Sequence, residues 1–248
     1  MKTKSSTSYH QFARWLEKNA LGRYVLRQET DFFCRITADM FGFYAIQLGL
    51  SAHQLLRDCR LTHYARVDTS RFANIRSEID LLPLPYHSID LIVMPHTLDF
   101  SPDPLAVLRE ASQLLIPGGH MVLTGFNPLS LWGMRHFIHK RAGIVPWCGA
   151  FFSLRHLKDW LKLLGLTIEL GRFMLYRLPF SSYVQHGRWL DPAGDRWWPT
   201  GAGIYGIRAV KQVYGAHRLM PKWRPVNFKP AVVAESKNSI CINHPSDS

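Results

Sequence analysis

The chain has 248 residues, 47% of them hydrophobic, and a formal charge of +12. That is enough apolar material for a sizeable core in one large domain or two small ones. The longest apolar run, near Phe41 to Ala52, is too short to span a bilayer, and "MKTKSSTSYHQFARW" has no secretory h-region. Cys34, Cys59, Cys148 and Cys241 have no CxxC spacing, so free thiols in a reducing, cytoplasmic compartment are expected rather than a disulfide framework or a metal site.

The charge is uneven. Residues 41–134 carry 6 Lys and Arg against 8 Asp and Glu, whereas residues 135–215 carry 12 against 4. An anionic partner near the later segments is one expectation, whether nucleic acid, anionic lipid or an acidic metabolite; a basic solubilising surface is the other.

In chain order, Phe12, Trp15 and Leu16 give a first helix an apolar face, and Gly22 reads as its stop. Leu26, Phe33 and Ile36 space a second helix ending near Gly42. "YAIQLGL" is a strand, and "SAHQLLRDC" reads as a short helix. "LTHYARVD" is a second strand ending at Asp68. "SIDLIVMP", residues 88–95, is nearly all apolar, as a strand covered on both faces requires. Ser101 or Asp103 caps a helix along Leu105, Leu108 and Leu115, stopped by "PGG" at 117–119. "HMVLTGF" is the next strand. Ser153 caps a helix along Leu157, Leu161 and Leu164, ended by Gly165. "LTIELGRFMLY" and "GIYGIRAVKQV" are late strands with no clear helix between them, so antiparallel pairing is expected.

Alternating strands and helices predict an α/β doubly wound sheet. Ligands bind such sheets beyond the C-terminal strand ends, where strand order reverses. Gly49 to Ser51, Asp68, Pro95 to His96 and Phe126 to Pro128 should then surround one crevice.

Residues 79–126 carry an ordered set of pieces. Asp80 precedes Leu84-Pro85, Ile89-Asp90 starts a strand, and His96, Leu98 and Asp99 follow it; Asp-Pro, Leu-Arg-Glu and Pro-Gly-Gly come next. The set resembles class I S-adenosylmethionine-dependent methyltransferases, of the broad type 11 group. "GFNPLSLWG" and "LGRYVLRQE" resemble a bacterial subgroup. The resemblance implies a mostly parallel, seven-stranded Rossmann-like sheet over 43–215, with residues 1–42 as a helical cover and 216–248 as a basic tail. It also implies S-adenosyl-L-methionine as cofactor. Asp68, 19 residues after Gly49, would accept the ribose hydroxyls, and Asp80, beside Leu81, would meet the adenine. Gln47, Gly49, Leu50 and Ser51 would form the loop for the amino acid end, facing Pro95 and His96.

The loop departs from the family pattern. Gln47 stands where an acid is usual, and Ser51 and His53 stand where two further glycines are usual. Gln47 can meet an ammonium through its amide oxygen, without charge. Side chains at 51 and 53 restrict positive φ and close approach.

His96 is a candidate general base, and against that stands a backbone-bonding role, with Asp99 as a helix cap. Asn127 is a candidate orienting group or an Asn-Pro turn residue. Residues 177–200 interleave Trp189, Trp197 and Trp198 with Arg177, Arg188 and Arg196. They read as a lid-like insertion that packs onto the domain, or stacks on bases or flat rings, or sits at a membrane interface. The function expected is methyl transfer to an anionic or aromatic acceptor. The rivals are a non-catalytic interaction protein on the same scaffold and a nucleic-acid-binding module.

Overall fold

A computed structural model describes residues 2–56, 60–139, 145–176 and 201–212. The lid-like segment 177–200 and the tail 216–248 lie outside the described residues. Those described belong to one unit, Met1–Tyr214.

Seven strands form a single sheet in the order β3-β2-β1-β4-β5-β7-β6. They are β1 (Phe41–Leu48), β2 (Arg60–Asp68), β3 (Ile75–Arg76), β4 (Ile89–Pro95), β5 (Leu115–Phe126), β6 (Leu166–Met174) and β7 (Ile204–Lys211). The first five run parallel; β7 runs antiparallel between β5 and β6. The expected α/β sheet and its antiparallel end are both present.

The apolar run of β4 is explained by its two covered faces. Leu91 and Val93 point to one side, under α1 (Lys2–Lys18) and α2 (Ala20–Thr37). Ile92 and Met94 point to the other, under α3 (Pro104–Leu114) and α5 (Leu154–Leu163). Alternation along a central strand therefore feeds two separate cores. Asp103 caps α3 by accepting from the Ala106 N–H, and Ser153 caps α5 by accepting from the His156 N–H. A further helix, α4 (Leu131–His139), follows β5.

Several local expectations change. Gly22 does not stop the first helix. Asn19 breaks the chain and caps α2 through the Leu21 N–H, while a Cβ at Gly22 would lie 2.3 Å from the Trp15 carbonyl oxygen. The glycine lets two helices touch. The "PGG" motif does not end α3, which stops at Leu114; Pro117, Gly118 and Gly119 bulge out within β5, between Leu115 and His120. Residues 51–56 are not helical. The cause is Gln47, described next.

Candidate active site at the switch point

Strand order reverses between β1 and β4, so the crevice of a doubly wound sheet lies at their C-terminal tips. The β1 tip is closed by Gln47. The carbonyls of Gly49, Leu50 and His53, at 2.9–3.0 Å from its Nε2, share the two amide hydrogens. Its Oε1 accepts from the Leu55 N–H at 3.3 Å and from the Tyr64 hydroxyl. Backbone groups that a helix over 51–59 would pair with one another are bound instead to one side chain. Only an amide can do this, because a carboxylate has no hydrogen to give a carbonyl. The left-handed positions of the loop are Gly49 (φ 87°) and Leu50 (φ 44°); Ser51 and His53 avoid that region.

Asp68, at the tip of β2, is 4% exposed. One oxygen accepts from the Thr69 N–H at 2.7 Å; the other accepts from the Ser51 hydroxyl at 2.9 Å. Ser51 Oγ also lies within hydrogen-bond distance of Ser70 Oγ. The serine standing in a glycine's place thus gives its hydroxyl to the carboxylate expected to hold a ribose.

Tyr9 of α1 enters from above. Its hydroxyl donates to the Pro95 carbonyl at 2.8 Å, and a Cβ on Gly49 would lie 2.2 Å from the same oxygen. Here the glycine makes room for Tyr9. Burial pushes the phenol's pKa well above its usual value, so Tyr9 stays a donor. One turn on, Phe12 stacks on Phe100 (ring centroids 4.7 Å apart) and sets its edge against His96 (5.1 Å) and Phe126 (5.9 Å).

His96, at the tip of β4, has a left-handed backbone (φ 50°) and is fully buried. Nδ1 bonds Asp99 Oδ2 at 2.7 Å. Nε2 lies 3.1 Å from Glu29 Oε1 of α2, close enough for an ion pair but without the alignment of a hydrogen bond. Glu29 accepts from the Thr124 hydroxyl at 2.5 Å, and Asp99 from the Phe126 N–H at 3.0 Å. Glu29 Oε2 and Asp99 Oδ1 have no hydrogen-bond partner among the described residues. Burial alone would lower the His96 pKa, but the Glu29 carboxylate and the Asp99 hydrogen bond outweigh it and raise the value to about 9. The two carboxylates thus favour the imidazolium form of His96, which has no lone pair to act as a base. The Asp99 carboxyl is pushed up by burial, against the pull of His96.

Gln47, Gly49, Leu50, Ser51, Asp68, Pro95 and His96 are thus brought together. Asn127 is beside β5, with its amide turned to backbone: Nδ2 donates to the Ala202 carbonyl and Oδ1 accepts from the Leu129 N–H. Asp80 and Leu81 lie in the turns after β3, and Leu81 is 74% exposed. Sequence reasoning missed Tyr9, Phe12, Glu29 and Tyr64. Glu29 carried a signal: it sits four residues after Val25 and three before Phe32, a charge on an apolar helical stripe.

A methyltransferase-domain family model matches residues 24–170. The chain belongs to this methyltransferase family. It is 33% identical over 148 residues to the uncharacterized protein YafS of Escherichia coli (strain K12), covering 58% of this chain and 60% of that one. It is 33% identical over 81 residues to the demethylmenaquinone methyltransferase of Chlamydia pneumoniae, covering 32% and 35%. The chain thus spans about three fifths of the first relative and about a third of the second. Among solved structures, a SAM-dependent methyltransferase of Thermotoga maritima superimposes with a TM-score of 0.56 at 18% identity, over 82% of this chain and all of that one. A second, from Mesorhizobium loti, gives 0.52 at 17%, over 73% and 96%. These two show the fold.

The family's cofactor is S-adenosylmethionine, and the crevice can be tested against it. The kinds of group suit the ligand: a carboxylate at β2, a glycine at β1 and a backbone carbonyl at β4. Their hydrogen-bonding capacity, however, is used inside the chain. Ser51 holds Asp68, Tyr9 holds Pro95 and covers Gly49, and Gln47 is saturated. In this closed arrangement the groups that would meet the cofactor are bonded to one another.

Proposed function

We propose that the protein is an S-adenosylmethionine-dependent methyltransferase acting on an acceptor with a flat, apolar ring, and that α1 occupies the crevice between turnovers. The observation carrying this reading is that α1 supplies internal stand-ins. The Tyr9 hydroxyl takes the β4 carbonyl, and the Phe12 ring fills a niche walled by Phe100, Phe126 and His96. A niche walled by rings suits a ring, because offset and edge-on contacts add to burial. The local similarity to a demethylmenaquinone methyltransferase supports the same acceptor class.

When bound, the cofactor supplies an electrophilic methyl group. The chain's own part is alignment and exclusion of water by the aromatic wall. With His96 protonated by its pairing to Glu29 and Asp99, the residue orients groups and fixes the β4 tip. Withdrawal of Tyr9 and Phe12 is the step that uncovers the β1 and β4 tips.

A second reading has its own support. The five hydrogen bonds of Gln47 keep the β1 loop shut without any ligand, as a non-catalytic interaction protein would need. Calorimetric titration with S-adenosylhomocysteine separates the two. In the first reading Tyr9→Ala/Phe12→Ala binds more tightly than the parent, because the closed state no longer competes. At 100 times the dissociation constant the ligand adds about 2.7 kcal/mol, a rise of roughly 5–10 °C in Tm for a domain of this size. No binding by either protein establishes the non-catalytic reading.

A further inference from the structure

Helix α4 buries Trp132, Gly133 and His136 against the domain, as an amphipathic helix should. Its opposite face is also apolar. Leu131 is 45% exposed, Met134 60%, Phe137 87% and Ile138 68%, and Leu129 just ahead is 79% exposed. A helix with large apolar side chains on both faces is one that something else covers.

The surroundings say what kind of cover. The sequence has no acidic residue between Glu110 and Asp159, and the two residues after His139 are Lys140 and Arg141. Arg135 of α4 lies over the Trp147 ring (5.4 Å), and His136 Nδ1 bonds the Trp147 carbonyl at 2.7 Å. Two residues before Trp147, Val145 lines a groove with the exposed Arg14 and Lys18 of α1. The acid on that stretch of α1, Glu17, lies 3.4 Å from His53. Along the chain, the exposed apolar residues therefore sit in a stretch that carries cations and no acid.

We propose that the outer face of α4 docks the protein on an anionic lipid bilayer, with Leu131, Met134, Phe137 and Ile138 entering the headgroup boundary and the neighbouring cations meeting lipid phosphates. Apolar residues beside Lys and Arg are what such a surface takes, and either set alone binds weakly. A second copy of the chain fits less well, because a two-fold contact would set one basic stretch without acids, 111–158, against itself. Nucleic acid would leave the apolar side chains uncovered. This inference goes beyond the cofactor reading and stands apart from it.

The test uses the full chain and sedimentation with vesicles. One set is equimolar phosphatidylcholine and phosphatidylglycerol; the other is phosphatidylcholine alone. The protein partitions onto the anionic vesicles, and the partition weakens as salt screens the surface. Phe137→Ser/Ile138→Ser lowers it by about ten-fold or more. Both side chains are exposed, so the melting midpoint of the variant stays at the parent value. Three results would overturn the proposal: no partition of the parent, equal partition of the variant, or a parent dimer that the variant converts to monomer in the absence of lipid. S-adenosylhomocysteine titration of the same two proteins reads the cofactor site separately, so loss of one activity is not confused with loss of the other.

Discussion

The tips of β1 and β4 face the same crevice and are built in opposite ways. At β1 a single neutral side chain, Gln47, makes five hydrogen bonds, all within residues 49–64. At β4 three fully buried ionisable groups meet, and one of them, Glu29, arrives from a helix far off in sequence. The neutral tip is self-sufficient and insensitive to pH. The charged tip depends on α2 staying in place and on His96 staying protonated. A crevice with one fixed wall and one conditional wall is more easily disturbed from the conditional side.

The largest test of this contrast is His96→Leu. It leaves the Glu29 and Asp99 carboxylates buried beside each other with no cation, and stability measured by urea unfolding should fall by about 3–5 kcal/mol. Adding Glu29→Gln to that variant should recover part of the loss. A loss under about 1 kcal/mol would mean that no ion pair exists there. Next comes Gln47→Glu, which restores the acid usual in the family. It faces three carbonyls with a group that cannot donate, and should cost about 2–4 kcal/mol. A variant as stable as the parent would show that the amide does not hold the loop.

The pH dependence sharpens the comparison. His96 has a folded-state pKa of about 9, above its ordinary value of 6.5. A group raised on folding stabilises fully below its unfolded pKa, and that contribution is lost as pH rises through the folded value. Urea midpoints should therefore decline between pH 7 and pH 10, and the decline should be smaller in His96→Leu. The raised Asp99 carboxyl acts in the same sense at lower pH. The smallest effects belong to single hydroxyls. Tyr9→Phe and Ser51→Ala should each cost about 1 kcal/mol. Equal stability of Ser51→Ala and parent would mean that Asp68 does not depend on that hydroxyl.

What the sequence discloses follows from how local each cause is. β4 is legible because a run such as Ile89–Pro95 is explained only by two covered faces, and α3 and α5 because Asp103 and Ser153 cap them within three residues. The antiparallel end of the sheet is legible from two strands lacking a helix between them. The segment after Gly49 misleads, since helix propensity says nothing of a glutamine two residues upstream that captures its carbonyls. Gly22 misleads because a helix contact and a helix stop both call for glycine. α4 hides behind Asn127-Pro128, which reads as a turn and is one, with a helix starting at once beyond it. The positions expected around the crevice do converge there. Of the two residues that close it, Phe12 is legible only as part of an apolar helical face, and Tyr9 carries no signal of its own.

The placement of β7 bears on how the chain is made. A ribosome delivers β5, then β6, then β7, yet β7 is the strand that lies between the other two. Until Ile204–Lys211 emerge, β5 presents an open edge and β6 has nothing to pair with. A nascent chain halted before residue 204 is thus a sticky half-sheet and a natural client for chaperones. One from which residues 204–211 have emerged can pair both β5 and β6, so eight late residues separate the two fates.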